Sequence, residues 1–171
     1  MSKLRKPAAI AVLALVAILA VEGAALAAAV GRNGKAVTAV RTLTSQGGTN
    51  FTTANWIDVP DMKLFVTVPK DQKAILVITY SADTMCSGNA SYGAVCLIRV
   101  TVDGQDTAPG GVQWSYNYAN ETPESGVASM QWVAGPLSPG DHQVKVQASI
   151  GNANNTFWLG QQTLTVLRSR F

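Results

Sequence analysis

Charge, histidine and cysteine are all scarce in this sequence. Only 13% of its 171 residues are charged, one is histidine and two are cysteine. A structural zinc site wants four Cys or His ligands, and a lone His142 with two cysteines does not supply them. Beyond the first few residues the lysines and arginines do not cluster, so no patch points to counterion release from nucleic acid. No serine stands in a G-x-S-x-G context, which excludes the usual nucleophile elbow. The D-x-[DN]-x-[DN]-G run of a calcium loop is absent, although Asp103 and Asp106 share one turn. After residue 30 no window of useful length carries a helical period. These gaps point away from a cofactor, a metal centre and a recognisable catalytic set.

The N-terminus carries a pattern of its own. Lys3, Arg5 and Lys6 precede an uninterrupted apolar run, Ala8 to Val21, and Ala25-Leu26-Ala27 offers small residues where a signal peptidase reads them. We therefore expect a signal peptide at residues 1–27, a short flexible lead at 28–35 and one domain at 36–171. The alternative is an uncleaved membrane anchor, in which Glu22 is tolerated near one end of the span. Removing the first 27 residues takes away three of 13 basic and one of 10 acidic residues, leaving 10 against nine. The basic character of the whole chain thus belongs largely to its leader. An exported chain meets an oxidising compartment, where two cysteines usually pair. Cys86 and Cys96 enclose nine residues and are expected to form a disulfide. A ring of that size is worth about 2–3 kcal/mol in the chain-entropy account.

The rest of the chain is strand after strand with turn residues between. "AVTAVRTLT" (36–44) alternates. In "NWIDVPDMKLFVTVP" a Pro-Asp break precedes Met62, Leu64, Val66 and Val68, which share one face. "AILVITYSA" (74–82) is apolar at successive positions, as in a central strand covered on both sides. "VCLIRVTV" (95–102) places Cys96, Ile98, Val100 and Val102 together, and Asp103-Gly104 is a strong hairpin turn. "HQVKVQASI" aligns Val144, Val146, Ala148 and Ile150. Eight or nine such strands predict an all-β fold, a two-sheet antiparallel β-sandwich of jelly-roll type, with an immunoglobulin-like sandwich as the alternative.

Two stretches carry a resemblance: "FVTVPKDQKAILVITYSADTMCSGNASYGAVCLIRVTVDG" (65–104) and "WVAGPLSPGDHQVKVQASIGNANNTFWLGQQTLTVLRSRF" (132–171). They resemble small exported β-sandwich proteins of high-GC Gram-positive bacteria. The turn-and-strand pattern L-x-P-G-x-H-x-V-x-V-Q and the last "LTV" are similar to jelly-roll modules of phage tail fibres and of the tumour-necrosis-factor-like group. The resemblance implies turns and core positions, and trimeric assembly is usual in the necrosis-factor-like group. It transfers no catalytic residue.

Trp114, Tyr116 and Tyr118 lie two apart on one expected strand and so share a face. On a solvent face they form a platform for sugar rings; on an inner face they are core. His142, beside Asp141 at a strand start, is the single candidate general base. The carboxylates Asp58, Asp61, Glu121 and Glu124 fall in turns, where turn chemistry accounts for them. The expectation is an exported, non-enzymatic binding or structural module for a surface carbohydrate, cell-wall polymer or protein. Self-association is compatible with it, and the membrane is involved only through an uncleaved leader. The competing expectation is a secreted hydrolase assembled from loops around His142.

Overall fold

The computed structural model of the chain describes residues 36–88, 94–117, 125–152 and 154–171, with the side chains of Tyr116 and Asn117 left aside. The expected signal peptide and lead lie outside the described residues. Ten strands follow one another: β1 (Val37–Ser45), β2 (Thr49–Phe51), β3 (Ile57–Val68), β4 (Ala74–Ser87), β5 (Ala94–Val102), β6 (Gln105–Asp106), β7 (Val112–Asn117), β8 (Ser125–Leu137), β9 (Gly140–Ile150) and β10 (Thr156–Arg170). There is no helix among the described residues, and so none long and apolar enough to cross a membrane.

The strands form two antiparallel sheets. Sheet I has the order β1-β10-β4-β8, with β2 also on β10; sheet II has the order β3-β9-β5, with β6 and β7 both on β5. Setting aside the short β2 and β6, the first strand pairs with the last, β3 with β9, β4 with β8 and β5 with β7. The chain is therefore one long hairpin rolled so that β10 also meets β4 and β9 also meets β5. That nesting defines a jelly roll. It excludes the immunoglobulin order, in which sheet membership follows a different sequence of strands.

Alternation builds the core. Met62, Leu64, Val66 and Val68 of β3 are buried, while Phe65 between them is 57% exposed. Ile98, Val100, Val144, Val146, Leu164 and Val166 close the interior from both sheets. The Pro60-Asp61 break is a bulge inside one continuous strand: register with β9 shifts between Asp58 and Lys63, and Asp61 has φ 61°. β4 departs from expectation. It is central in its sheet, but only its inner face is uniformly buried; Val77, Thr79, Ser81, Asp83 and Met85 on the outer face are half-buried. A two-layer sandwich has no third layer to cover that face, and flanking strands shield it only sideways.

The cysteines pair as expected. The Cys86–Cys96 disulfide, with a Cα–Cα distance of 5.9 Å, joins β4 of sheet I to β5 of sheet II, and both cysteines are buried. It crosslinks the two layers rather than closing a surface loop alone. A disulfide is consistent with an extracellular location. A second tie between the sheets is aromatic. Trp114 of β7 lies against Trp132 of β8 (centroids 5.9 Å, planes 18° apart) and against Tyr80 of β4 (5.3 Å). Trp132 donates its indole N–H to the Gly110 carbonyl at 2.8 Å, and the Tyr80 hydroxyl donates to Gln162 Oε1 at 2.6 Å. Burial pushes the Tyr80 phenol far above its ordinary value.

Candidate functional site

Strand register sets the outer face of sheet I. Thr44 of β1 lies opposite Thr163 of β10, Thr163 opposite Ser81 of β4, and Ser81 opposite Ser129 of β8. The next row runs Thr42, Thr165, Thr79, Gln131 by the same pairings. Two rows of hydroxyl and amide groups thus cross the whole sheet, because each strand carries small polar residues at its outward positions. Some satisfy one another: Ser81 Oγ and Ser129 Oγ are 2.8 Å apart, and Gln131 Nε2 donates to Thr79 Oγ1 at 3.2 Å.

At one end of these rows the face opens into a cleft of about 380 Å³, lined chiefly by Ser45, Gln46, Ser81, Asp83, Gln161 and Thr163. A register shift on β10 between Leu159 and Gln162 forms its floor. It turns Gln162 inward to Tyr80 and leaves Gln161 outside. Trp158 stands on the same outer face, opposite Met85 of β4 and Asn50 of β2. Its half-buried ring packs over two glycines. A Cβ on Gly48 would fall 2.8 Å from its Nε1, and one on Gly160 would fall 2.9 Å from its Cζ2. Both glycines are therefore needed for the ring to lie close to the sheet. Asp83 is the one charged group in the cleft lining.

The outer face of sheet II is different. Lys145 reaches Asp58 at 2.9 Å, Gln147 Nε2 donates to Asp58 Oδ1 at 2.6 Å, Arg99 Nε donates to Gln147 Oε1 at 2.8 Å, and Arg99 pairs with Asp106 at 3.1 Å. The Arg99 guanidinium also lies 4.6 Å from the centre of the Trp56 ring. Burial raises the Asp58 pKa, but bonds from Lys145 and Gln147 and the charges of Lys145 and Lys63 outweigh it and hold the carboxyl below its ordinary value. Asp58, expected in a turn, thus stands in β3 and is engaged in structure. Asp103 and Asp106, the pair considered for calcium, bind different partners, and no group of three metal-ligating side chains occurs among the described residues. Glu121 and Glu124 lie outside the described residues.

His142 is held at both ring nitrogens. Nδ1 is 2.7 Å from Asp103 Oδ2 and Nε2 is 2.8 Å from the Ser138 carbonyl oxygen. A carboxylate and a carbonyl only accept, so the two contacts are both hydrogen bonds when the ring is protonated. Burial lowers the His142 pKa, but bonds to Asp103 and Ser138 and the charges of Asp103 and Asp141 outweigh it and raise it above the ordinary value. Asp103 also accepts the Gln143 backbone N–H at 2.8 Å. The pair clips the β5–β6 turn, where Asp103 (φ 52°) and Gly104 (φ 80°) adopt the left-handed geometry of a tight hairpin, onto β9. The partner is Asp103, 39 residues away, and not the adjacent Asp141.

The aromatic series Trp114, Tyr116, Tyr118 falls partly outside the described residues: Tyr118 lies beyond them, and of Tyr116 only the backbone is described. Register with β5 shifts at Trp114, so Ser115 stands opposite Cys96 and Gln113 opposite Leu97. Trp114 is half-buried at the seam between the sheets, where its ring joins the Tyr80–Trp132 stack. Trp158, which no alternation argument separated from core, is the described tryptophan on the outer face of sheet I. Its signal in the sequence was the pair of small residues at Gly48 and Gly160.

No family model matches the chain, and no curated protein matches it. Solved structures similar to it include dimeric latent PorU from Porphyromonas gingivalis (8% identity, TM-score 0.44) and infectious bursal disease virus, Gt strain (9% identity, TM-score 0.44). The matches cover 82% and 83% of this chain but only 14% and 35% of those chains.

Proposed function

We propose that the protein is an exported, non-enzymatic binding module that holds an uncharged polyhydroxylated ligand, a surface carbohydrate or cell-wall polymer, on the outer face of sheet I. The observation that carries this reading is the cleft of about 380 Å³, in which seven of the ten lining residues present a hydroxyl or an amide, beside Ala82, Val127 and the carboxylate Asp83. Such groups both donate and accept, which matches the hydroxyls of a sugar. Trp158, on the same outer face but outside the cleft lining, carries the kind of apolar ring face that sugar rings stack on. Export is supported by the leader pattern and by the disulfide. Binding without turnover is supported by the engagement of both His142 nitrogens.

The test is retention on a panel of insoluble polysaccharides and purified cell-wall polymers. Asp83→Ala with Gln161→Ala removes two cleft groups on exposed or half-buried positions, so the fold is expected to survive. Two lost hydrogen bonds at about 0.5–1.5 kcal/mol each predict weakening of roughly 5- to 150-fold. A wild-type protein retained by no polymer on the panel, or a double variant that binds as well as wild type, would overturn the reading.

A further inference from the structure

The sheets of a sandwich end in edge strands, and an edge with open backbone groups is a template for a further strand. Two edges here are defended. β3 carries Pro60 and the bulge at Asp61, and the Arg168 guanidinium donates to the Thr67 carbonyl on its outer side. β8 carries Pro136, and its outer side is bridged at Val133, which exchanges both backbone bonds with Ala108. β1 differs. Its register is unbroken from Ala39 to Ser45, that stretch holds neither proline nor lysine, and no described strand lies on its outer side.

The ladder decides which groups that edge presents. The Phe171 backbone N–H donates to the Lys73 carbonyl beside β4, so alternate β10 residues from Phe171 face β4 and those between, Leu164 and Val166 included, face β1. Leu164 and Val166 stand opposite Leu43 and Arg41, whose backbone bonds therefore go to β10. Val40, Thr42 and Thr44 alternate with them, so their N–H and C=O groups point into the open edge. Their side chains lie on the outer face of sheet I, while Leu43 packs on the core. Apolar exposure gathers on the same flank. Of the six large apolar side chains exposed among the described residues, Val37 and Val40 are on β1, and Ile57 and Phe65 are on β3 beside it.

We infer that this edge is a self-association surface, on which β1 of a second copy pairs antiparallel with β1 about a twofold axis. An antiparallel pair of identical strands has that symmetry, and each outward residue both donates and accepts, so the edge complements itself. Charge and length set the register. A twofold at Arg41 would place Arg41 opposite its own copy, and like charges directly opposite destabilise a sheet. The regular stretch Ala39–Ser45 is centred on Thr42, so a twofold there overlaps it in full. Thr42 then lies opposite Thr42 of the copy, Val40 opposite Thr44, and Arg41 opposite Leu43. Sheet I becomes continuous across the two copies, and the row Thr79, Thr165, Thr42 runs on into its counterpart. Both outer faces of sheet I then point the same way. The inference goes beyond the glycan-binding reading and does not rest on it.

The experiment uses residues 28–171, which hold every described strand. Strand pairing alone makes a small interface, so sedimentation equilibrium is expected to show a dimer with a dissociation constant in about the micromolar range. Thr42→Pro removes both backbone bonds at the twofold and leaves the ladder to β10 intact, giving up only the 3.3 Å hydroxyl contact with Thr165. It is expected to weaken the dimer by roughly 5- to 150-fold. Thr42→Cys reads the register in a strand that stays regular. Opposed Cα atoms in a hydrogen-bonded pair lie about 5.5 Å apart, within disulfide reach, so mild oxidation is expected to give a covalent dimer. Thr44→Cys, whose copy lies opposite Val40, is expected to run as a monomer on the same non-reducing gel. A wild type that stays monomeric at about 100 µM would overturn the inference. So would a folded Thr42→Pro that dimerises like wild type, or a Thr44→Cys that crosslinks as well as Thr42→Cys. A dimer formed by residues 36–171 but not by residues 28–171 would show that the chain's own lead occupies the edge, and would overturn it too.

Discussion

The two outer faces of this sandwich are built from the same alternation and end in opposite states. On sheet II, the ladder Lys145–Asp58–Gln147–Arg99–Asp106 spends its donors and acceptors within the protein. On sheet I, rows of Thr, Ser and Gln leave the cleft beside Asp83 and Gln161 lined with groups that remain accessible. The comparison separates polarity from availability. A surface rich in charge offers little to a ligand when each charge already has its complement. A neutral surface of small hydroxyls offers more, because its bonds are short-reaching and incompletely matched.

The common core lies beneath both faces, and breaking it should abolish their difference. Trp132→Ala removes a fully buried ring that stacks on Trp114, and is expected to destabilise by about 3–5 kcal/mol in denaturant unfolding. Both faces should then fail together, binding included. Next in size is the crosslink between the layers. Cys86→Ala with Cys96→Ala should cost about 2–3 kcal/mol, and polymer retention should survive at temperatures where the variant stays folded.

Smaller perturbations sharpen the contrast. Asp58→Ala breaks the ladder on sheet II, where the Asp58 side chain is 49% exposed. Its cost is expected at about 0–1 kcal/mol, with polymer retention unchanged. The smallest effect is a pH dependence at the His142–Asp103 clip. His142 is raised above its ordinary value of 6.5, so its contribution is full below that pH and is lost as pH rises through the raised value. Burial raises Asp103, but the bonds from His142 and the Gln143 N–H and the His142 charge lower it below 3.8 on balance. Its contribution is therefore present above that pH and lost as pH falls through the lowered value. Thermal melts of wild type and His142→Ala should differ more near about pH 5.5 than near about pH 8.5. An equal difference at both would show that the clip is not ionic.

Most of the framework was legible because it is local. Alternation located the strands, Asp103-Gly104 marked its hairpin, and the paired cysteines followed from compartment and number. The jelly roll followed from strand count and spacing. What escaped depends on pairing between distant strands. Thr44, Ser81, Ser129 and Thr163 meet in one row only because β1, β10, β4 and β8 are neighbours. Each is an ordinary outward residue in its own strand. Bulges hid more, since the shift on β10 that forms the cleft floor and the shift at Trp114 both break the strict period of two. No local pattern assigned His142 a partner, whereas the turn geometry at Asp103 delivers the carboxylate.

The most direct test sets the two faces against each other in one assay. Wild type, Asp83→Ala with Gln161→Ala, and Asp58→Ala with Arg99→Ala are compared for retention on the best polysaccharide from the panel. Melting temperatures are measured alongside. The account predicts that the sheet I variant loses retention by roughly 5- to 150-fold while the sheet II variant binds like wild type. Retention lost in the sheet II variant and kept in the sheet I variant, with both folded, would contradict it.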